Sequence, residues 1–141
     1  MEFPFVKNIL SEEETSALAK EFSMILRKGD CISLVGNLGS GKTFFTKALC
    51  KEFLIEDANS PTFALLNVYV GEEKFFHFDF YRVRSEQELL GIGIYDYLND
   101  EEAITIIEWA DIFPSVLPKK RYEISIQINN DFSRTFRIEK L

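Results

Sequence analysis

The pattern of hydrophobic and polar positions predicts strands and helices that alternate along the chain. Runs rich in β-branched and aromatic residues predict strands, and the run at 103–109 is continuously apolar, as in a buried parallel strand. The predicted strands cover residues 3–10, 30–35, 63–70, 75–81, 103–109, 121–128 and 134–139. Pro4 makes the first of them an edge strand, and the last two form a hairpin.

Helical spacing and capping signals place the helices between these strands. A capping box of Ser11 and Glu14 predicts the start of a first helix, which Gly29 closes. Its apolar face is formed by Leu18, Phe22, Ile25 and Leu26. A second helix is predicted from Lys42 to about residue 54, and its apolar positions are Phe45, Ala48, Leu49 and Phe53.

A second capping box, Ser85 and Glu88, predicts a short helical region that is broken by Gly91 and Gly93. Alternating strands and helices predict an α/β fold. We therefore expect a three-layer sandwich with a mixed, largely parallel central sheet, formed by residues 1–141 as a single domain.

Residues 36–43, here called the glycine loop, lie between a predicted strand and a predicted helix. Their sequence fits the phosphate-binding pattern G-x-x-x-x-G-K-[ST] at every fixed position. In such a loop the backbone N–H groups point at a phosphate, Lys42 supplies positive charge and Thr43 offers a hydroxyl to Mg²⁺. The residues predicted to bind the phosphates are Gly36, Asn37, Leu38, Gly39, Ser40, Gly41, Lys42 and Thr43. With this loop in place, the predicted three-layer sandwich is P-loop NTPase-like.

A magnesium site beside Thr43 also needs an acidic residue, and two predicted strands offer one. Glu108 follows the apolar run 104–107, where a buried carboxylate is costly unless it is paired or bound to a metal. Asp79 lies in the run 75–81, where alternation places it on one face with His77 and Tyr81. Both acids are candidates for the catalytic site, and the spacing leaves open which of them contacts Mg²⁺.

Other residues near these motifs have a functional and a structural interpretation each. Thr62 lies in a turn where a hydroxyl can sense a γ-phosphate or a metal, or have no role. Trp109 is a candidate for stacking on a base or for packing a switch, although most tryptophans belong to the core. His77 is a candidate for orienting Asp79 or for a structural role. Arg82 is a candidate for pairing with a phosphate or with Asp79, or is an ordinary surface residue.

Composition narrows the range of functions. The chain has 141 residues and a net charge of −7, which argues against a free-standing nucleic-acid binder. Its two cysteines, Cys31 and Cys50, lack C-x-x-C spacing and are expected to be reduced thiols. No apolar stretch is long enough to span a membrane, and the first residues do not form a signal peptide, so we expect a cytoplasmic protein.

With these motifs placed, the chain resembles the TsaE family, also called YjeE. These are small bacterial P-loop ATPases needed to make threonylcarbamoyladenosine in tRNA. The resemblance rests on the glycine loop and on Ser-Pro-Thr-Phe at 60–63, His-Phe-Asp-Phe-Tyr-Arg at 77–82 and Ile-Glu-Trp at 107–109, with a looser match at 88–93. The family usually has Asp where Asn37 stands and often Pro where Ala110 stands.

The resemblance implies ATP and Mg²⁺ as ligands, with Thr43 and Glu108 near the metal. It also implies that Asp79 is essential near the phosphates and that Thr62 lies in a switch-like loop. The implied partner is the TsaB–TsaD heterodimer, in which TsaD transfers the threonylcarbamoyl group to tRNA. The chain would hydrolyse ATP to reset that complex and would reach tRNA indirectly, through its partners.

Three other functions fit parts of the sequence. A small-molecule or nucleotide kinase shares the glycine loop but needs an acceptor pocket, which is not evident, and usually lid arginines, for which only Arg82 and Arg84 lie near a motif. A GTP switch would typically carry Asn-Lys-x-Asp, which does not occur. A structural subunit with a vestigial site would not need Lys42, Thr43, Asp79 and Glu108 intact.

Overall fold

A computed structural model of the chain describes residues 1–61 and 64–141. Its centre is a sheet of seven strands in the order β1-β7-β6-β2-β5-β4-β3. The strands are β1 (Phe5–Ile9), β2 (Cys31–Gly36), β3 (Leu66–Val70), β4 (Lys74–Asp79), β5 (Ala103–Glu108), β6 (Tyr122–Ile128) and β7 (Arg134–Lys140). The predicted edge position of the first strand and the final hairpin are both confirmed.

The middle of the sheet is parallel and its flanks are antiparallel. Strands β6, β2, β5 and β4 run in the same direction, because each neighbouring pair among them is parallel. The pairs β1–β7, β6–β7 and β3–β4 are antiparallel. The predicted mixed sheet is therefore confirmed, with its parallel pairs at the centre. All four parallel strands deliver their carboxyl ends to the same edge.

Helices cover both faces of the sheet and make three layers. They are α1 (Glu12–Ser23), α2 (Lys42–Lys51), α3 (Glu86–Gly91) and α4 (Ile94–Leu98). The first two pack over one apolar cluster, which includes Phe22, Phe45 and Leu49. The last two pack over a second cluster, which includes Phe78, Leu89 and Ile94. Central strands buried on both sides explain the apolar run of β5.

The first helix is shorter than its apolar pattern predicts. Helix α1 ends at Ser23, so the prediction that it continues to Gly29 is wrong. The backbone N–H groups of Met24 and Ile25 bond to carbonyls only three residues back, which tightens the last turn and ends the helix. Leu26 is still buried, because the turn that follows carries it against the same cluster.

The second capping box does not form as predicted. Ser85 precedes α3, but its side chain makes no capping hydrogen bond. The Glu88 carboxylate instead accepts a hydrogen bond from the backbone N–H of Arg84, at 2.9 Å. By contrast, the Ser11 hydroxyl accepts from the backbone N–H of Glu14 at 3.2 Å, as the first capping box predicts.

Both cysteines are buried and form no disulfide, as expected. Burial raises the pKa of each thiol to about 12, so neither behaves as a reactive thiolate. In the part of the chain that the structure describes, no helix has the length and apolar character needed to cross a membrane.

We expect replacement of Gly71 by alanine to destabilise the fold strongly. A Cβ atom there would lie 2.1 Å from the carbonyl oxygen of Phe53 and 2.7 Å from the side chain of Ile55. Relieving this overlap must move backbone, at a cost of about 1–3 kcal/mol. Urea unfolding measures the loss, with Gly91→Ala as control, because a Cβ at Gly91 meets nothing within 4 Å. Equal stability of the two variants would contradict the close approach.

Candidate active site

Three strand ends bring the predicted site residues together at one edge of the sheet. The glycine loop follows β2, Asp79 ends β4 and Glu108 ends β5. In the register of the sheet, Glu108 lies beside Leu34 on one side and beside Asp79 on the other. Ligands in open α/β sheets bind at the carboxyl ends of the strands. The fold therefore places both candidate acids next to the candidate phosphate loop.

The glycine loop turns sharply before it enters α2. Gly41 precedes the helix with a φ of 108°, in the left-handed region where a side chain would be strained. The chain then continues directly into Lys42 and Thr43, the first residues of the helix. The unpaired N–H groups and the positive dipole end of α2 therefore face the space above the loop, which suits an anion.

Lys42 is folded back onto the loop that carries it. Its ammonium group donates hydrogen bonds to the backbone carbonyls of Gly36 at 2.5 Å and Asn37 at 2.9 Å. It also lies 4.0 Å from the ring centre of Trp109, over the face of the indole. Burial lowers the pKa of Lys42, and the nearby Glu108 carboxylate opposes that shift. The amino group of Lys42 thus lies between the backbone of the glycine loop and the indole of Trp109.

Thr43 is bonded directly to Glu108. The threonine hydroxyl donates to one carboxylate oxygen of Glu108 at 2.7 Å. Ser60 joins them, with its hydroxyl 2.9 Å from that of Thr43 and 3.3 Å from the other carboxylate oxygen of Glu108. Only 1% of Glu108 is exposed. The buried carboxylate of Glu108 is thus paired with hydroxyl groups at the entrance to α2.

Asp79 stands at the rim of this cluster. Its carboxylate accepts a hydrogen bond from the backbone N–H of Tyr81 at 2.9 Å, and the side chain is half-buried. Burial raises the pKa of Asp79, and the Glu108 charge adds to this effect, whereas the bond from Tyr81 opposes it. Asp79 also lines an open cavity of about 780 Å³ that extends from Thr43 past Trp109. Glu108 does not line this cavity and instead lines a smaller one, of about 210 Å³, beside the glycine loop.

One interpretation of the sequence paired His77 with Asp79, but in the structure His77 bonds to Glu108. The ring nitrogen Nε2 lies 2.5 Å from a carboxylate oxygen of Glu108. The other nitrogen, Nδ1, lies 2.9 Å from the hydroxyl of Tyr69. His77 is completely buried. Both ring nitrogens therefore have partners, and these partners lie on the two strands next to β4. The alternation of residues along β4 does not reveal these contacts.

The oxygen groups of the site fit Mg²⁺ that is shared with a nucleotide. Among residues 1–61 and 64–141, no group of three or more His, Cys, Asp or Glu is arranged to hold a metal ion by itself. Mg²⁺ is typically held by one or two carboxylates while substrate phosphates and waters complete its octahedron. Thr43 and Glu108 supply two such oxygens at contact distance from each other, with Asp79 on the next strand.

The comparisons with known proteins agree with one another. The family model described as "Threonylcarbamoyl adenosine biosynthesis protein TsaE" matches residues 9–136. The chain belongs to the TsaE family. Proteins of this family act in the biosynthesis of threonylcarbamoyladenosine in tRNA, as the names of the relatives state.

The chain is similar to TsaE proteins along most of its length. It is 35% identical to that of Rickettsia typhi over 92% of this chain and 91% of the relative. It is 38% identical to that of Borreliella burgdorferi over 91% of this chain and 88% of the relative. The crystal structure of Bacillus subtilis YdiB matches 97% of this chain and 86% of its own with a TM-score of 0.79 and 27% identity.

Most of the sequence-predicted residues of this TsaE-family chain meet at one place. Thr43 is hydrogen-bonded to Glu108, Lys42 lies over the ring of Trp109, and Asp79 is beside Glu108 in the sheet. The catalytic role predicted for Thr62 falls outside the described residues and stays a prediction. Leu38 is largely exposed at the loop tip and lines the same cavity.

Sequence reasoning missed one residue of the site, Ser60, and one residue beneath the site, Tyr69. Ser60 stands in the Ser-Pro-Thr turn, two positions before Thr62, where its hydroxyl was a usable signal for a polar contact with Thr43. Tyr69 lies on β3 and bonds to His77, and nothing in the spacing indicates that contact. Tyr81 packs on Trp109, with ring centres 4.7 Å apart.

Proposed function

We propose that this TsaE-family chain binds Mg-ATP at the glycine loop and hydrolyses it in support of a TsaB–TsaD complex that modifies tRNA. One observation carries the proposal. The Lys42 ammonium and the hydrogen-bonded Thr43–Glu108 pair stand side by side at the start of α2. The N-terminus of a helix suits an anion. At this N-terminus, Lys42 offers a positive charge for phosphates, and Thr43 and Glu108 offer oxygens for a divalent cation.

The residues have separate tasks in this proposal. Lys42 would exchange the carbonyls of Gly36 and Asn37 for phosphate oxygens, which are stronger acceptors because they are charged. Thr43 and Glu108 would hold Mg²⁺, and bound Mg²⁺ supplies stabilisation of the charge on the transferred phosphoryl group. Asp79, which lines the cavity, would orient a water that attacks the terminal phosphate.

The net charge supports an indirect route to tRNA. A net charge of −7 disfavours close contact with a polyanion unless another protein intervenes. A partner complex that carries the tRNA would remove this difficulty. Hydrolysis then serves a conformational cycle, in which the ATP and ADP states bind the partner with different affinities.

A kinase activity is a second candidate, favoured by the cavity beside Thr43. The sequence offered no evident acceptor pocket, but the structure has about 780 Å³ of open space between Thr43 and the arginines Arg82 and Arg84. Arginines beside a phosphate site suit a charged acceptor. The cavity would equally admit a partner segment, and the two occupants predict different products.

We expect phosphate release from ATP by the chain to rise when the TsaB–TsaD complex and tRNA are added. The test follows radiolabelled γ-phosphate with ATP alone, with the complex, and with pooled small-molecule acceptors. Label in free phosphate supports hydrolysis, whereas label in an organic acceptor supports a kinase. Lack of label transfer in every arm would contradict both activities. Unlabelled GTP as competitor tests the preference for adenine, and equal competition by GTP would contradict it.

A further inference from the structure

A chain of hydrogen bonds runs across three adjacent strands beneath the candidate active site. It starts at the Glu108 carboxylate on β5, passes through His77 on β4 and reaches the Tyr69 hydroxyl on β3. All three residues are buried. The Tyr69 hydroxyl then donates to the backbone carbonyl of Asn59 at 2.6 Å. A buried carboxylate is thereby connected to a surface segment that precedes β3.

The Tyr69 hydroxyl holds Asn59 by both of its backbone groups. It accepts from the N–H of Asn59 at 3.0 Å while it donates to the carbonyl of the same residue. The side chain of Asn67 adds a bond to that carbonyl at 2.8 Å. The backbone of Asn59 is therefore fixed chiefly by one hydroxyl group. That hydroxyl is in turn in contact with His77.

The same segment is also held from the other end. Ser60, the residue after Asn59, contacts Thr43 and Glu108 through its hydroxyl. The segment 59–61 thus has two attachments to Glu108, one direct through Ser60 and one through Tyr69 and His77. A buried histidine with a merely structural role needs only a hydrogen-bond partner for each ring nitrogen, whichever groups these partners are. Here the two nitrogens join a candidate metal ligand to the anchor of a loop.

We propose that His77 and Tyr69 are positioning residues that couple the orientation of the Glu108 carboxylate to the position of segment 59–61. Packed interiors do not absorb small shifts, so a carboxylate that turns must move the groups bonded to it. Occupation of the nucleotide site changes the partners of Thr43 and Glu108, and the segment then responds. The inference rests on the proposed function and adds a path of hydrogen bonds by which nucleotide binding changes the position of a surface segment.

The test uses hydrogen exchange of the Asn59 amide, because Tyr69 is the acceptor for that N–H. Mg-ADP is the probe, since it is not consumed. In the wild-type chain we expect Mg-ADP to change the exchange rate of this amide by roughly fivefold, the factor that corresponds to one typical hydrogen bond. In Tyr69→Phe the ring remains and the hydroxyl is lost, so the response should disappear while Mg-ADP affinity stays close to wild type.

Two further variants separate coupling from simple damage. His77→Gln keeps a polar group next to Glu108 but does not span to Tyr69, so it should also lose the response. Tyr122→Phe is the matched control, because Tyr122 is a buried tyrosine on β6 whose hydroxyl lies outside this chain of hydrogen bonds. It should respond like the wild type.

The possible results distinguish this proposal from the proposed function. Calorimetry that shows no Mg-ADP binding to the wild type would overturn the nucleotide site and, with it, the coupling. Wild-type binding with no change in the exchange of the Asn59 amide would overturn the coupling alone. So would a normal response in His77→Gln, which keeps the Tyr69 hydroxyl as the acceptor for that amide. Loss of Mg-ADP affinity in Tyr69→Phe would also overturn it, because Tyr69 would then contribute to binding itself.

Discussion

Replacing Lys42 by alanine should abolish the stabilisation that Mg-ATP gives to the wild-type chain. A ligand at about 100 times its dissociation constant stabilises a fold by roughly 2.7 kcal/mol. For a chain of this length that corresponds to a rise in melting temperature of roughly 5–10 °C. The Lys42 ammonium is buried against the loop carbonyls and Trp109, so no other residue of the glycine loop can replace its charge.

Thermal melts with and without Mg-ATP measure this effect. Lys47→Ala is the matched control, because Lys47 lies on the exposed side of the same helix α2. Each variant is compared with its own melt in the absence of nucleotide, since Lys42→Ala also removes bonds within the loop. The control should keep the full shift. If Lys42→Ala keeps it as well, the phosphate-binding role of the lysine is wrong.

The sequence predicted most of the strands and the position of the glycine loop between a strand and a helix, for physical reasons that are visible in the structure. A strand buried on both faces must be apolar throughout, and β5 is, so its bounds could be read to within one residue. The glycine loop could be placed because its pattern combines local backbone geometry with a lysine and a hydroxyl. Both signals are local and do not depend on distant contacts.

The contacts that the sequence did not predict are those between strands distant along the chain. Alternation placed His77 and Asp79 on one face of β4, and it did not show that His77 reaches Glu108 on β5. Strand order decides that contact, and strand order depends on the whole sheet. The end of α1 was also wrong, because the tight turn after Ser23 keeps Leu26 buried without continuing the helix.

Glu108 and Asp79 are neighbours in the sheet, yet their surroundings differ in a way that assigns them different tasks. Glu108 is buried and bonded to the Thr43 hydroxyl, His77 and Ser60. Asp79 is half-buried, bonded to the backbone of Tyr81 and open to the cavity. A carboxylate in contact with the hydroxyl that we propose as a Mg²⁺ ligand is suited to hold the metal. One that faces the cavity is suited to act on a water or an acceptor.

We therefore expect Glu108→Gln to weaken the Mg²⁺ dependence of nucleotide binding more than Asp79→Asn does. Glutamine keeps the size of the side chain and an acceptor for Thr43, so the variant tests the charge and not the packing. Loss of a carboxylate that orients or binds the metal typically costs about 10–100-fold in metal affinity. Asp79→Asn keeps the acceptor for the N–H of Tyr81 and should mainly slow phosphate release.

Calorimetric titration of Mg²⁺ into each variant with ADP present separates the two acids. Glu123→Gln serves as control, because Glu123 is a strand glutamate on β6 that pairs with Arg121 and not with the glycine loop. It should keep the wild-type metal dependence. A larger loss in Asp79→Asn than in Glu108→Gln would reverse the assignment. The buried carboxylate of Glu108 would then serve the Thr43–His77 cluster alone, and the metal would be held from the cavity side.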